Sequence, residues 1–217
     1  SYDFDNDGVF EIADLPSPSA IVPAAFLAEG PGDRVVRARI ADKDGGFTEY
    51  TTSIAITNAA PTASLDNGGP VNENSSGTVA FSNQHDPSAV DASAGFTYSY
   101  DFNNDGVFEI TGSSSPTAIV PATYLKDGPG VRVVRARISD KDGGFADYTT
   151  DITITNAAPT ATMQRSASVR EGSAGYIRFT QQADASPLDA ASGYRYSYDF
   201  NNDGVFDLLN STSASVT

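Results

Sequence analysis

The sequence predicts an all-β protein made of tandem antiparallel β-sandwich repeats. Two observations predict this class. Short segments that alternate apolar and polar residues are separated by Gly, Pro, Asn and Asp, and the whole pattern recurs with a period of 98 residues. Alternation with a period of two is typical of strands that bury one face, and recurrence at a fixed spacing is typical of repeat proteins. The sequence Ser-Tyr-Asp-Phe at residue 1 thus returns at residues 99 and 197.

The elements of one repeat follow from this alternation. Tyr98 and Tyr100 share one parity, whereas Thr97 and Ser99 share the other. Residues 121–128 are the one segment expected to form a helical turn. About seven short strands within about 100 residues favour an immunoglobulin-like antiparallel sandwich. The predicted strands are 62–65, 78–81, 96–102, 107–110, 118–120, 133–138 and 148–155.

The two parts of the repeat differ in how closely their copies agree. Residues 1–59 match residues 99–157 at 43 of 59 positions, whereas residues 60–98 match residues 158–196 at 16 of 39. The boundary between repeats is predicted at Asn-Ala-Ala-Pro, where a proline follows a strand-like segment and restricts the residue before it.

This boundary predicts three segments. The N-terminal segment, residues 1–59, is the back half of an immunoglobulin-like repeat. The central segment, residues 60–157, is a complete repeat, and the C-terminal segment, residues 158–217, is the front half of the next. The chain is therefore expected to be an excerpt of a longer array. The alternative is that its end segments complete those of neighbouring chains.

Composition excludes several functions. With 28 Asp and Glu against 13 Lys and Arg, the net charge is -15, which argues against nucleic acid as a partner, because phosphate binding requires Lys and Arg. The absence of Cys excludes thiolate metal sites and thiol nucleophiles, and the single His allows no two-histidine site. No apolar run is long enough for a membrane span, and no signal-peptide pattern is present.

Acidic loops are the sharpest chemical feature. Each repeat carries oxygen side chains at positions 1, 3, 5 and 9 of a loop with Gly at position 6, which is most of the pattern of a calcium loop. Position 12 departs from that pattern, since it reads Asp14, Gly112 and Asn210, so an EF-hand is excluded. The predicted ligands are Asp3, Asp5, Asp7, Val9 and Glu11; Asp101, Asn103, Asp105, Val107 and Glu109; and Asp199, Asn201, Asp203 and Asp207.

A hairpin turn is the alternative interpretation of these loops, because Asn-Asp-Gly between alternating segments is a common turn sequence. We favour calcium, since a turn alone is not expected to require acids at positions 1 and 9. A second acidic motif, Asp-Lys-Asp-Gly-Gly, places Asp42 and Asp44, and likewise Asp140 and Asp142, between the last two strands of the repeat. Loops gather at the ends of a sandwich, so all four acids are predicted to bind metal, with Asp140 and Asp142 completing the ligand set of the loop at Asp101. A solvated turn is the alternative there.

A third acidic group recurs in the more divergent part of the repeat. Glu73, Asp86 and Asp91 have acidic counterparts 98 residues later. They suggest either a further site near a repeat junction or exposed polar loops, and we favour exposed loops. The counterparts are Glu171, Asp184 and Asp189.

Three motifs together resemble a known family. Tyr-Asp-Phe-Asn-Asn-Asp-Gly, Asp-Lys-Asp-Gly-Gly and Asn-Ala-Ala-Pro-Thr-Ala are similar to the PKD-like and related immunoglobulin-like repeats of very large bacterial surface proteins, along the whole chain. Tyr100 stands where the best-defined members have Trp. The resemblance implies a β-sandwich, calcium bound in acidic loops, and roles in adhesion, spacing or fibre formation.

The sequence predicts no catalytic site. His85 is the single candidate base, and its counterpart 98 residues later is Ala183. Arg135 and Arg137 are expected to pair across strands with acids such as Asp151, rather than to form an anion-binding patch. We therefore expect a non-enzymatic structural segment of an extracellular, cell-surface bacterial protein, an adhesin stalk or fibre, rigidified by Ca²⁺.

The expected partners are neighbouring repeats of the same or identical chains, possible filament assembly included, and a surface or glycan receptor. The alternative is a carbohydrate-binding or spacer module of a secreted hydrolase.

Overall fold

The computed structural model describes residues 1–217 and consists mostly of strands in several antiparallel sheets. The all-β class predicted from the sequence is thereby confirmed. In the N-terminal segment, three strands form one sheet in the order β1-β2-β3, and a 3-10 turn spans Ala24–Leu27. These strands are β1 (Tyr2–Asp3), β2 (Gly32–Ala41) and β3 (Phe47–Ile56).

The central segment contains two sheets. One has three strands in the order β4-β6-β9, and the other has five in the order β5-β11-β10-β7-β8, with β5 parallel to β11 and all other pairs antiparallel. Its elements are β4 (Thr62–Asn67), β5 (Val71–Asn72), β6 (Gly77–His85), α1 (Ala89–Ala94), β7 (Thr97–Asp101), β8 (Ile110–Ser113), β9 (Thr117–Val120), a 3-10 turn (Ala122–Tyr124), β10 (Gly130–Ser139) and β11 (Phe145–Thr155).

The C-terminal segment also contains two sheets, in the orders β12-β13-β16 and β14-β15. Its elements are β12 (Thr160–Arg165), β13 (Ile177–Ala183), α2 (Pro187–Ser192), β14 (Tyr196–Tyr198), β15 (Leu208–Ser211) and β16 (Ser215–Val216). The two α-helices have six residues each. None of the helices has the length and apolar character needed to cross a membrane.

The main hydrophobic core lies in the central segment and draws on both of its sheets. Val79 and Val120 come from the three-stranded sheet, and Tyr100, Val134 and Ile152 from the five-stranded one, all with at most 1% of their surface exposed. Alternate residues of β10 and β11 point into this core, as the period-two pattern predicts. Burial of these apolar side chains is the main force that holds the two sheets together.

The structure differs from the sequence prediction in one strand and adds one helix that was not predicted. The predicted strand 107–110 begins only at Ile110, because the Val107 N–H donates to Asp105 Oδ1 (2.8 Å) and the Phe102 N–H donates to Glu109 Oε2 (2.7 Å). The Val107 backbone and the Glu109 side chain are thus tied into the acidic loop, and pairing with β7 starts only at Ile110. Helix α1 was not predicted, because six residues are too few to show a helical period.

Candidate metal-binding clusters

The first acidic loop, residues 3–11, follows β1 and closes at the isolated bridge between Tyr2 and Ile12. Two residues with left-handed backbone conformation, Asn6 (φ 60°) and Gly8 (φ 100°), turn the chain back on itself. As a result, four predicted ligands each offer a carboxylate oxygen within 4.8 Å of the others. They are Asp3, Asp5, Asp7 and Glu11.

Asp3 is the fully buried member of this group. Its Oδ1 accepts a hydrogen bond from the Asp7 N–H (3.2 Å), its Oδ2 accepts one from the Gly8 N–H (3.0 Å), and Arg37 Nη2 lies 2.6 Å from Oδ2. Burial raises the pKa of Asp3, but the hydrogen bonds from Gly8 and Arg37 outweigh it and hold the pKa below its usual value. A carboxylate oxygen has two lone pairs, so Oδ2 is fully used by its two bonds, and Oδ1 keeps one lone pair for a cation.

The second and third acidic loops, residues 101–109 and 199–207, make the same kind of turn with different side chains at position 3. The Asn103 amide donates to Asp105 Oδ2 (2.8 Å), and the Asn201 amide donates to Asp203 Oδ2 (3.0 Å). In these two loops an amide therefore donates to the acid at position 5. In the first loop, the carboxylate of Asp5 instead repels the corresponding acid, Asp7. Neither of these loops gathers three carboxylates as closely as the first loop does.

The acid at position 9 has a structural role in every copy. Glu11 accepts a hydrogen bond from the Phe4 N–H (2.7 Å), Glu109 accepts one from the Phe102 N–H (2.7 Å), and Asp207 accepts one from the Phe200 N–H (2.8 Å). Together with Asp3, these contacts show that a turn alone uses acids at positions 1 and 9. The spacing argument for calcium is weaker for that reason. Val9 and Val107 were predicted to offer carbonyl ligands, and their side chains are exposed.

The Asp-Lys-Asp-Gly-Gly motif forms the turn between β2 and β3 and again between β10 and β11. Asp42 Oδ1 accepts from the Asp44 N–H (3.0 Å), and Asp140 Oδ1 accepts from the Asp142 N–H (2.9 Å). Asp42 and Asp44 are exposed, whereas Asp140 is buried. The structure groups Asp42 and Asp44 with no other acids, and it does not group Asp140 and Asp142 with the second acidic loop. It places Asp140 against Asp86 and Asp91 instead.

The expectation that Glu73, Asp86 and Asp91 lie in exposed loops is wrong. Their exposed fractions are 1%, 6% and 0%. For Asp86 and Asp91 the physical reason is helix α1: the Ser88 N–H donates to Asp86 Oδ1 (2.8 Å), and Ser88 Oγ accepts from the Asp91 N–H (3.2 Å). Glu73 is held inward by the N–H groups of Gly128 (2.9 Å) and Ala157 (2.8 Å), which donate to its carboxylate. The Ser-x-x-Asp spacing is a helix-capping sequence and was the available signal for this arrangement.

Side chains join consecutive segments. At the first junction, between the N-terminal and central segments, Ser88 Oγ donates to Glu29 Oε2 (2.5 Å) and the Asn58 amide donates to Asp140 Oδ2 (2.9 Å). At the second junction, between the central and C-terminal segments, Ser186 Oγ donates to Asp127 Oδ1 (3.4 Å). The Ser-to-acid contact thus occurs at both junctions, with both partners displaced by 98 residues.

Two arginines of β10 have acidic partners within their own sheet: Arg135 faces Asp101 of β7, and Arg137 faces Asp147 of β11. Arg137 makes two hydrogen bonds to Asp147, its register partner on β11, at 2.7 and 2.9 Å, and its guanidinium lies 3.6 Å from the centre of the Phe145 ring. The pairing across strands is as predicted, although the acid is Asp147 and not Asp151. The hydrogen bond from the Arg137 guanidinium lowers the pKa of Asp147.

Comparison with protein-family models and with curated proteins found no match for this chain.

Proposed function

We propose that the chain is a structural tandem-repeat segment of an extracellular bacterial surface protein, an adhesin stalk or fibre. Its repeats are PKD-like, immunoglobulin-like sandwiches with a period of 98 residues, stiffened by calcium in acidic loops. The role is non-enzymatic. Its partners are neighbouring repeats of the same or identical chains, together with a surface or glycan receptor.

The observation that carries this proposal is the recurring contact between segments. Ser88 binds Glu29 at the first junction, and Ser186 binds Asp127 at the second. When the same contact recurs at each junction, each repeat is held against the next in the same way. An array built on such contacts has a defined direction. Length with a fixed direction is what a stalk or fibre requires.

The calcium part of the proposal is supported by the first acidic loop. Its four carboxylates lie close together, and Arg37 compensates only one of them at short range. Like charges at this spacing repel one another unless a cation neutralises them. Hard cations such as Ca²⁺ prefer six to eight oxygen ligands, which carboxylates, a backbone carbonyl and water supply.

The alternative, a carbohydrate-binding or spacer module of a secreted hydrolase, has weaker support. Such a module needs an exposed aromatic platform for sugar rings. In the central segment Tyr98, Tyr100 and Phe102 are buried, and the Arg137 guanidinium lies over one face of the half-exposed Phe145 ring. We therefore adopt the structural role.

The calcium part is tested by thermal unfolding of the chain in EDTA and in millimolar Ca²⁺. A ligand at 100 times its Kd stabilises the folded state by about 2.7 kcal/mol, so the unfolding midpoint rises by several degrees in calcium. The variant Asp5→Asn is expected to lose part of this rise, because it removes one carboxylate of the first loop. Equal midpoints in EDTA and calcium for the unmodified chain contradict the role of calcium.

A further inference from the structure

We propose that the first junction holds a divalent cation on Asp86, Asp91 and Asp140. These residues come from the end of β6, from helix α1 and from the turn after β10. The site is separate from the acidic loops and does not depend on the function proposed above. It is also distinct from the ligand set predicted from sequence, which joined Asp140 to the second acidic loop.

Burial is the first argument. Asp86, Asp91 and Asp140 are 6%, 0% and 7% exposed, and one oxygen of each lies within 4.8 Å of the others. Removing a charged carboxylate from water is costly unless it is paired or binds a metal. Three carboxylates that share one buried space add mutual repulsion to that cost. A cation among them removes both penalties.

The hydrogen bonds of the three residues are the second argument. Asp140 is satisfied, since Oδ1 accepts from the N–H groups of Asp142 and Gly144 and Oδ2 accepts from Asn58. By contrast, Asp86 Oδ2 and both oxygens of Asp91 are buried without a hydrogen-bond partner. Lys141 Nζ lies 2.9 Å from Asp91 Oδ1, which leaves Asp86 Oδ2 and Asp91 Oδ2 with neither a hydrogen bond nor an ion pair. Buried acceptors are almost always paired in folded proteins, so two such oxygens in one cluster indicate a missing ligand. A ligand for carboxylate oxygens must be positively charged or a donor.

Lys141 is the local counter-ion, and it is shared too widely to fill this role. Its Nζ lies 2.5 Å from Glu29 and from Asp142, and 2.9 Å from Asp91 Oδ1 in an ion pair without hydrogen-bond geometry. The ammonium makes no ion pair with Asp86 or Asp140. Five carboxylates therefore face one ammonium, which leaves four negative charges uncompensated at the first junction. The five carboxylates are those of Glu29, Asp86, Asp91, Asp140 and Asp142.

The second junction gathers acids in a related way. Glu73, Asp184 and Asp189 each offer an oxygen within 4.8 Å of the others, and no ion pair involves any of them. Burial raises the pKa of Asp189, and the charges of Glu73, Asp127 and Asp184 raise it further. Asp184 and Asp189 stand 98 residues after Asp86 and Asp91. Both acids are therefore the same in the two copies, although only 16 of 39 positions agree in this part of the repeat. The same two acids thus face a junction in both copies.

The geometry of the turn leaves space at the first junction. A side chain at Gly144 would collide with the Asp140 carboxylate and the Asn58 amide. Gly144 therefore allows Asp140 to lie against both the cluster and the preceding segment. The equivalent turn at Asp42 has neither the acidic cluster nor a preceding segment beside it, and its acids are exposed. It is a natural control with the same local sequence.

Calcium titration of the whole chain by calorimetry, after removal of metal with EDTA, tests the site. Asp91→Asn is expected to remove one binding event per chain, whereas Asp42→Asn, the control in the exposed turn, leaves the number unchanged. Mg²⁺ serves as the second probe and is expected to bind more weakly, because it demands a stricter octahedral geometry. Unchanged calcium binding in Asp91→Asn overturns the proposal.

Lys141→Met provides a second test that does not rely on removing an acid. If the cluster binds a cation, loss of the competing ammonium tightens calcium binding by about tenfold or more, because a like charge no longer lies beside the ion. If the cluster is only an ion-pair network, the variant is less stable and calcium does not restore its unfolding midpoint. Lys43→Met is the control, since Lys43 is exposed and pairs only with Asp44.

The two proposals fail separately. Loss of calcium binding in Asp5→Asn but not in Asp91→Asn supports the acidic loops and overturns the junction site. The reverse result supports the junction site and leaves the first loop as a turn.

Discussion

A single side chain at position 3 distinguishes the three acidic loops. Asp5 adds a fourth carboxylate to the first loop, whereas Asn103 and Asn201 donate their amides to the acid two residues later. The backbone contacts of the loops are otherwise closely similar. The first loop is therefore the one with the largest charge to neutralise, and the other two are closer to self-sufficient turns.

Exchanging this residue between loops is expected to exchange their calcium dependence. Asn103→Asp removes the amide donor to Asp105 and adds a charge, so the variant should unfold at lower temperature in EDTA and bind calcium on the order of tenfold more tightly. Asp5→Asn is the matched reverse change and should raise the midpoint in EDTA. Both midpoints are measured by circular dichroism with and without calcium. Midpoints of Asn103→Asp that do not respond to calcium would show that this loop is only a turn.

At the level of elements, β3 and β11 have similar sequences and identical pairing registers but different burial. Gly32 pairs with Ile56 as Gly130 pairs with Ile154. Ile152 is 1% exposed, because the sheet β4-β6-β9 covers this face, whereas its counterpart Ile54 is only half-buried. Strand formation is thus a local property, and burial depends on the sheet that lies opposite.

This difference predicts unequal costs for the same substitution. Ile152→Ala is expected to lower the free energy of unfolding by about 3 kcal/mol, as is typical for a buried isoleucine that leaves a cavity. Ile54→Ala should cost about 1 kcal/mol, because water already reaches the site and less apolar surface is lost. Urea unfolding of each variant measures both values. Equal losses would mean that the three-stranded sheet does not cover β11 in solution.

The elements also show what the sequence can and cannot predict. Alternation predicted β7, β10 and β11, because a period of two over several residues is a direct signature of a half-buried strand. It did not predict the buried acids, because their burial depends on Ser88 capping a six-residue helix and on Asp140 arriving from a turn about 50 residues away. The residues of the acidic loops could be found since they are contiguous. The junction cluster joins residues that only the fold brings together.

At the scale of the whole molecule, the net charge of -15 is distributed unevenly. Acids gather at the first loop and at both junctions, where consecutive segments meet. Arginines, in contrast, pair with acids along the sheets, as Arg39 does with Glu49. Repulsion therefore acts where segments join, and we expect the angle between segments to be the property most sensitive to cations.

Small-angle X-ray scattering of the chain should report this sensitivity. In millimolar calcium the junctions are neutralised, and we expect the scattering of a stiff particle with one well-defined maximum dimension. In EDTA the uncompensated acids at each junction repel, so the distance distribution should broaden.

Raising the salt concentration from about 0.1 M to about 1 M shortens the screening length from about 10 Å to about 3 Å. Salt should thus reverse part of the broadening. It should not supply the unpaired oxygens of Asp86 and Asp91 with a partner, as a bound cation does. If the first junction is the main hinge, the scattering of Asp91→Asn should be the same with and without calcium. Identical scattering profiles of the unmodified chain in calcium and in EDTA would exclude cation control of its shape.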